Sequence, residues 1–221
     1  MNRTVATGLI AATFCAVSFN AGAEGHGLYA GVGTLGINVG YKYGVSESLG
    51  IRVGANTFKY GYKLKDSAIE YKGDLKLNSV EVLADWHPFR NGFALSGGFL
   101  LNDNKFDGTA RPDPSGTLTI NGVDYAGANP TAEVNGRLGK GVTPYVGLGF
   151  ALNPAALKGL RFNAGVGVVF QQPDAKVTVS GVDDPTGTLE ADRVAAEKRL
   201  QKDMDNLRNY PVLTVGASYA F

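Results

Sequence analysis

Apolar and polar residues alternate with a period of two along most of the chain. The clearest run is Leu160 to Phe170. Leu160, Phe162, Ala164, Val166, Val168 and Phe170 share one face, while Arg161, Asn163, Gly165, Gly167 and Val169 share the other. Such a strand offers one face to an apolar medium and the other to a narrow interior of small or polar groups. Thr143 to Leu152 repeats the pattern, with Val146, Leu148 and Phe150 outward and Tyr145, Gly147 and Gly149 inward. A soluble sandwich alternates in the same way, so one strand alone does not decide the class.

The last strand decides more. Leu213, Val215, Ala217, Tyr219 and Phe221 share its apolar face, and Phe221 is the final residue. Thr214, Gly216, Tyr219 and Phe221 form a polar-x-Gly-x-x-aromatic-x-Phe pattern, similar to the signal that barrel-assembly machinery reads on outer-membrane proteins. Further strands are expected over Leu49 to Leu64, Asp74 to Trp86 and Phe93 to Phe106, each bounded by turn residues. Two of them change phase midway. Ile51 and Val53 give way to Phe58, Tyr60 and Tyr62, and Leu75 and Leu77 give way to Val80, Val82 and Trp86. A bulge in each strand, or a misplaced strand boundary, accounts for this.

Counting back from Phe221 gives six strands. Leu28 to Tyr43 then forms a hairpin of two short strands turning near Thr34 and Leu35, since single-chain bacterial barrels have even strand counts. The expected fold is therefore all-β, an eight-stranded antiparallel up-and-down transmembrane β-barrel with mature termini on the periplasmic side. Short turns at Val45–Ser48, Pro88–Gly92 and Asn153–Lys158 face the periplasm, and long connections at Lys65–Gly73, Asp107–Gly139 and Gln171–Arg208 face outward. Aromatic girdles are expected at both interfaces. Trp86, Phe93, Tyr219 and Phe221 form the inner one; Tyr60, Tyr62, Phe106, Tyr145, Phe170 and Tyr210 form the outer one. Thr188 to Leu207 breaks the alternation and has helical spacing, with Leu189, Ala196, Leu200, Met204 and Leu207 in one stripe. Either it packs its stripe on the barrel rim or on other loops, or it serves as a mobile lid.

The start of the chain reads as an address. Arg3 precedes a mostly apolar stretch, and Ala21-Gly22-Ala23 supplies a small-x-small cleavage site. Residues 1–23 are expected to be a signal peptide and residues 24–221 the mature outer-membrane barrel. Removal of the leader leaves 198 of the 221 residues and takes away Cys15, the one cysteine. No disulfide or thiolate metal site is then available. The 20 remaining basic residues match the 20 acidic ones, which gives no basis for nucleic-acid binding. Glycine is abundant, 31 of 221 residues against a usual level of roughly 7 %.

Candidate chemistry is sparse. Gly31-Val32-Gly33-Thr34-Leu35-Gly36 matches a dinucleotide fingerprint, but Ile37-Asn38-Val39-Gly40-Tyr41 continues the strand pattern where a helix N-terminus would be needed. His26 and His87 lie away from the outer-leaflet side on which a barrel lipase or acyltransferase would act, so no enzymatic activity, metal or cofactor is expected. The predicted interior charges are Arg52, Glu81, Asp85 and Arg161, accompanied by Asn38, Lys42, Asn56 and Asn163. They form either an ion-pair network that plugs the barrel or a path on which Glu81 and Asp85 attract a cationic solute.

Several segments resemble the CarO-type outer-membrane proteins, described as ornithine-uptake porins, over most of the mature chain. They are Gly33-Thr34-Leu35-Gly36, Asp103-Asn104, Thr143-Pro144-Tyr145-Val146-Gly147-Leu148-Gly149-Phe150, Pro173-Asp174-Ala175-Lys176-Val177, and the charged helix running into Asn209-Tyr210-Pro211-Val212. The family tends to end on an aromatic such as Trp, where this chain ends on Phe221. The resemblance implies an eight-stranded barrel with folded outer loops and a role in taking up small basic amino acids. The expected function is passage or capture of small polar or basic solutes, the alternative being a structural or surface-interaction barrel without an open channel. Expected partners are outer-membrane lipid and lipopolysaccharide, the barrel-assembly machinery, and small basic solutes.

Overall fold

The structure, a computed structural model, describes residues 25–66, 69–112, 116–152 and 159–221. The leader, Cys15 and the Asn153–Lys158 turn expected from the sequence lie outside the described residues. Along the chain run β1 (His26–Gly33), β2 (Gly36–Gly44), β3 (Leu49–Asp66), β4 (Ile69–Trp86), β5 (Phe93–Asn102), β6 (Lys105–Pro112), β7 (Leu118–Ile120) and β8 (Val123–Tyr125). They are followed by β9 (Thr131–Arg137), β10 (Gly141–Leu152), β11 (Gly159–Phe170), β12 (Asp174–Ser180), α1 (Leu189–Asp205) and β13 (Asn209–Ala220). No helix among the described residues is long and apolar enough to cross a membrane, which says nothing against crossing by strands.

Eight strands close on themselves in the order β1, β2, β3, β4, β5, β10, β11, β13 and back to β1, every neighbour antiparallel. The first two strands are the expected hairpin. Its turn at Thr34 and Leu35 closes through Gly36, whose φ of +101° is one that L side chains rarely adopt. Alternation sorts the barrel wall into two faces. Val32, Ile37, Val53, Leu148, Val166 and Val215 point outward and are each about half exposed, forming an apolar belt. Water would penalise such a continuous belt, whereas hydrocarbon accepts it and the closed ladder leaves no unpaired edge there.

Above the belt five neighbouring strands run on and three stop. The upper halves of β3 and β4 project beyond the β1–β2 turn, β6 continues β5, β9 continues β10, and β12 continues β11. These extensions pair with one another in the order β3, β4, β6, β9, β12 and raise a half-barrel wall on one side of the rim. Helix α1 connects the top of this wall to β13. The β7–β8 hairpin turns at Asn121-Gly122, both residues with positive φ as a two-residue turn of this kind requires. Leu118, Ile120 and Tyr125 of the hairpin are buried against Ala110, Ala132, Val179, Leu189 and Ala196.

This wall corrects several expectations. The segments expected to be loops, Asp107–Gly139 and Gln171–Arg208, contain β6–β9 and β12, and Lys65–Gly73 is largely the top of the β3–β4 hairpin. The phase change in β3 and β4 is not a bulge, one of the two explanations open from the sequence, since the pairing runs without slip from Leu49 opposite Trp86 to Asp66 opposite Ile69. What changes is the surroundings: Phe58, Tyr60, Tyr62, Leu75 and Leu77 continue the inner face of the barrel beyond the membrane. The outer girdle is likewise not formed as expected. Tyr60, Tyr62, Phe106, Tyr145 and Tyr210 belong to inner-face positions, and only Phe170 of that set points outward. At the opposite end Trp86, Phe150, Phe162, Tyr219 and Phe221 are half exposed in one band.

Candidate functional site

An eight-stranded barrel has an interior just wide enough for side chains to fill. Here the filling has two layers. Toward the wall end, Leu35 folds in from the β1–β2 turn and meets Leu83, Leu100, Tyr145, Val169 and Val212, with Tyr210 beside them. Leu100 and Val169 are 1 % and 0 % exposed, so this apolar layer packs closely inside the bore. The turn carrying Leu35 is lashed to the rim: Tyr210 Oη donates to the Thr34 carbonyl at 2.9 Å, and Thr34 Oγ1 donates to the Pro211 carbonyl at 3.0 Å.

Below the apolar layer lies a polar one. Arg52 Nη2 is 3.3 Å from Asp85 Oδ1, and Nη1 is 3.9 Å from Glu81 Oε1. Glu81 accepts from Tyr29 Oη at 2.6 Å and from Asn56 Nδ2 at 3.2 Å; Asp85 accepts from Ser96 Oγ at 2.6 Å. Both carboxylates thus have a cation and hydroxyl or amide donors, which is the condition for burying them. Lys42 Nζ and the Arg52 guanidinium stand 5.5 and 5.8 Å from the centre of the Tyr29 ring. That ring needs flat ground, and Gly40 and Gly54 supply it, since a Cβ at either would collide with the tyrosine. Gly147 and Gly167 do the same for Tyr145.

Arg52, Glu81 and Asp85, singled out from the sequence, therefore converge in one network. Arg161 lies farther toward the chain termini, lining a chamber of about 480 Å3 that opens at the end carrying the short turns. Lys42, Asp85, His87 and Asn163 also line that chamber. Burial holds His87 below the ordinary imidazole range, with the nearby Asp85 opposing. His26 Nδ1 is 2.6 Å from Tyr41 Oη, and its ring stacks on Phe221. Of the expected assembly-signal residues, Thr214 and Gly216 face the interior, while Tyr219 and Phe221 stand exposed at the terminal end. No group of three or more metal-ligating side chains occurs among the described residues.

Sequence reasoning missed Tyr29, Ser96 and the apolar layer. The signal for them was parity: Leu83, Leu100, Val169 and Val212 occupy the same alternate positions as the polar interior residues. It also missed the polar row that flanks the helix's apolar stripe. Met204 is buried and Leu189 and Ala196 pack as the apolar stripe suggested, but the main grip is polar. Gln201 accepts from the Ala175 N–H and donates to the Pro173 carbonyl, both at 3.0 Å. Glu197 accepts from the Val177 N–H at 3.0 Å, and Arg193 donates to the Val177 carbonyl at 2.9 Å. Helix positions four apart advance about 6 Å and strand positions two apart about 6.6 Å, so one side-chain row can satisfy the free edge of β12.

No protein-family model matches the chain, and no curated protein matches it in sequence. Among solved structures it is similar to CarO of Acinetobacter baumannii, with 22 % identity and a TM-score of 0.60 over 90 % of this chain and 98 % of that one. CarO2 of the same organism matches with 20 % identity and a TM-score of 0.61, covering 91 % of this chain and 100 % of that one. A major outer membrane protein from Thermus thermophilus matches with 17 % identity and a TM-score of 0.40, over 89 % and 98 % of the two chains. The likeness to the two Acinetobacter proteins is one of fold, that of the outer-membrane barrel.

Proposed function

We propose that this chain is a non-enzymatic outer-membrane barrel with no standing channel, whose working surface is the wall and helix it raises outside the membrane. The carrying observation is the apolar layer inside the bore: Leu100 and Val169 are 1 % and 0 % exposed among Leu35, Leu83, Tyr145 and Val212. In this reading the termini and the 480 Å3 chamber face the periplasm, and the terminal strand with Thr214, Gly216, Tyr219 and Phe221 presents the assembly signal.

The chamber favours a second reading, the capture or passage of small basic solutes such as amino acids, as the family resemblance implies. Asp85 sits between the chamber and the apolar layer, where a cation entering from below would meet it. Passage would need the apolar layer to part.

Flux through liposomes containing the purified mature barrel separates the two. The closed reading expects lysine and ornithine entry at the rate of empty liposomes. Leu100→Ala combined with Val169→Ala should then admit small solutes by removing the seal. Entry through the unaltered barrel well above background, lowered by Asp85→Asn, would establish the transport reading instead.

A further inference from the structure

The wall has two lateral edges, and the molecule treats them differently. A sheet edge presents unpaired N–H and C=O groups that template another strand. The β12 edge is covered by the Arg193, Glu197 and Gln201 row of α1. The β3 edge is bare. β2 pairs with β3 only as far as Ile37 opposite Thr57, and no other strand among the described residues takes over from Phe58 to Asp66. Every residue from Thr57 to Leu64 is exposed, so neither face of this stretch is covered.

Its two faces differ in chemistry. Phe58, Tyr60, Tyr62 and Leu64, exposed by 41 to 56 %, make a continuous apolar row on the inner face. Lys59 and Lys63 stand on the outer face with Gly61 between them, and neither has an ion pair among the described residues. Behind them the next strand places Lys76 opposite Lys59 and Lys72 opposite Lys63. Like charges directly opposed destabilise a pair of strands. Lys76 and Lys72 are partly compensated by Asp107 at 3.5 Å and Glu70 at 3.2 Å, and Asp74 stands opposite Gly61. Lys59, Lys63, Lys72 and Lys76 on this face thus meet three acids, none of which pairs with Lys59 or Lys63.

We propose that the β3 edge is a docking site for an extended peptide strand of a protein partner that alternates apolar with acidic residues. Such a strand adds to the sheet through main-chain hydrogen bonds, lays its apolar side chains along the Phe58–Leu64 row and sets its carboxylates against Lys59 and Lys63. The lysines also select against a second copy of the chain. In the antiparallel register that overlaps the whole exposed run, centred on Gly61, Lys59 would face Lys63 of the second copy. The inference rests on the reading that the wall stands outside the lipid, which cysteine labelling tests separately.

The test uses the full mature protein in lipid nanodiscs and a fluorescent nine-residue peptide alternating valine and glutamate, read by anisotropy and by hydrogen exchange of residues 58–66. Saturable binding with protection of those amides is expected. A valine–lysine peptide should bind about tenfold more weakly or worse, since opposed like charges suppress a wrong partner. The doubly charge-reversed variant, Lys59→Glu with Lys63→Glu, should invert this preference. N-methylation of alternate peptide residues should abolish binding for the methylated edge, because the main-chain donors are lost. Equal binding of both peptides, protection elsewhere, or indifference to both charge reversal and methylation would overturn the proposal. So would dimerisation of the unaltered protein through this edge, which would assign the surface to a second copy.

Discussion

Tyr29 and Tyr145 hold the interior together because four glycines leave room for their rings. Adding one methyl group at Gly167 would drive it into Tyr145, whereas Gly97 on the outer face meets nothing within 4 Å. Gly167→Ala is therefore expected to lower stability by about 1–3 kcal/mol, the usual consequence of overpacking, and Gly97→Ala to be near neutral. Urea unfolding in detergent, followed by the mobility shift of the folded barrel, measures both. The ion network yields a sharper forecast. Arg52→Gln leaves Glu81 and Asp85 buried without their cation and should destabilise by about 3–5 kcal/mol. Adding Asp85→Asn should recover part of that loss, because the two positions share one interaction. Strict additivity would show that Arg52 does not hold Asp85.

Helix α1 is tied to the wall by side chains that titrate. The Val177 N–H holds the Glu197 carboxylate below its ordinary value of 4.5, with Arg193 adding to the effect and desolvation opposing it. Hydrogen bonds from Asn121 and Tyr125 hold Asp192 below 3.8 in the same way. A carboxyl with a lowered folded pKa contributes stability that is full above its unfolded value and disappears as pH falls through the folded one. The helix should therefore remain docked at neutral pH and loosen as the pH drops below about 4.5. The protection factor of the Val177 amide is the readout, and it should fall with acid. In Glu197→Gln, which keeps an acceptor but cannot ionise, that fall should be smaller. Unchanged pH dependence in the variant would remove Glu197 from the attachment. The far end of the helix is fixed by neutral groups: Gln171 Nε2 donates to the Leu207 carbonyl at 3.0 Å while its Oε1 accepts from Asn102.

The whole molecule is asymmetric along its axis. The turns at 45–48 and 88–92, the described chain end at Gly25, Phe221 and the chamber occupy one end, and the wall, hairpin and helix occupy the other. Cysteines placed at exposed Val123 and Pro185 should react with a membrane-impermeant thiol reagent on intact cells, and one at Asn91 should not. Cys15, in the expected leader, would be absent from the mature protein. Labelling at Asn91 alone would invert the orientation. It would also move the β3 edge into the periplasm without disturbing the barrel itself.

The barrel portion was legible in the sequence because its rule is local. Where one side of a strand meets lipid and the other a narrow bore, period-two alternation reports the face of every residue, and parity with the Thr34–Leu35 turn completes the strand count. The Asn121-Gly122 hairpin was missed, since the expected long loop ran across it, although an Asn-Gly pair is the turn chemistry that marks such a hairpin. Above the membrane the rule fails. Water replaces lipid, so Phe58, Tyr60 and Tyr62 can remain on the inner face while the outer face becomes charged, and the sequence then imitates a bulge. Which cation serves which carboxylate was also beyond local reading. Arg52 and Arg161 share the same parity, and only register and strand position bring Arg52 to both Glu81 and Asp85 while Arg161 lines the chamber. The helix attachment depended on tertiary structure most of all. Arg193, Glu197 and Gln201 look like a solvated face until the free edge of β12 stands at matching spacing beside them, because main-chain groups left unpaired by a sheet leave no mark on the sequence.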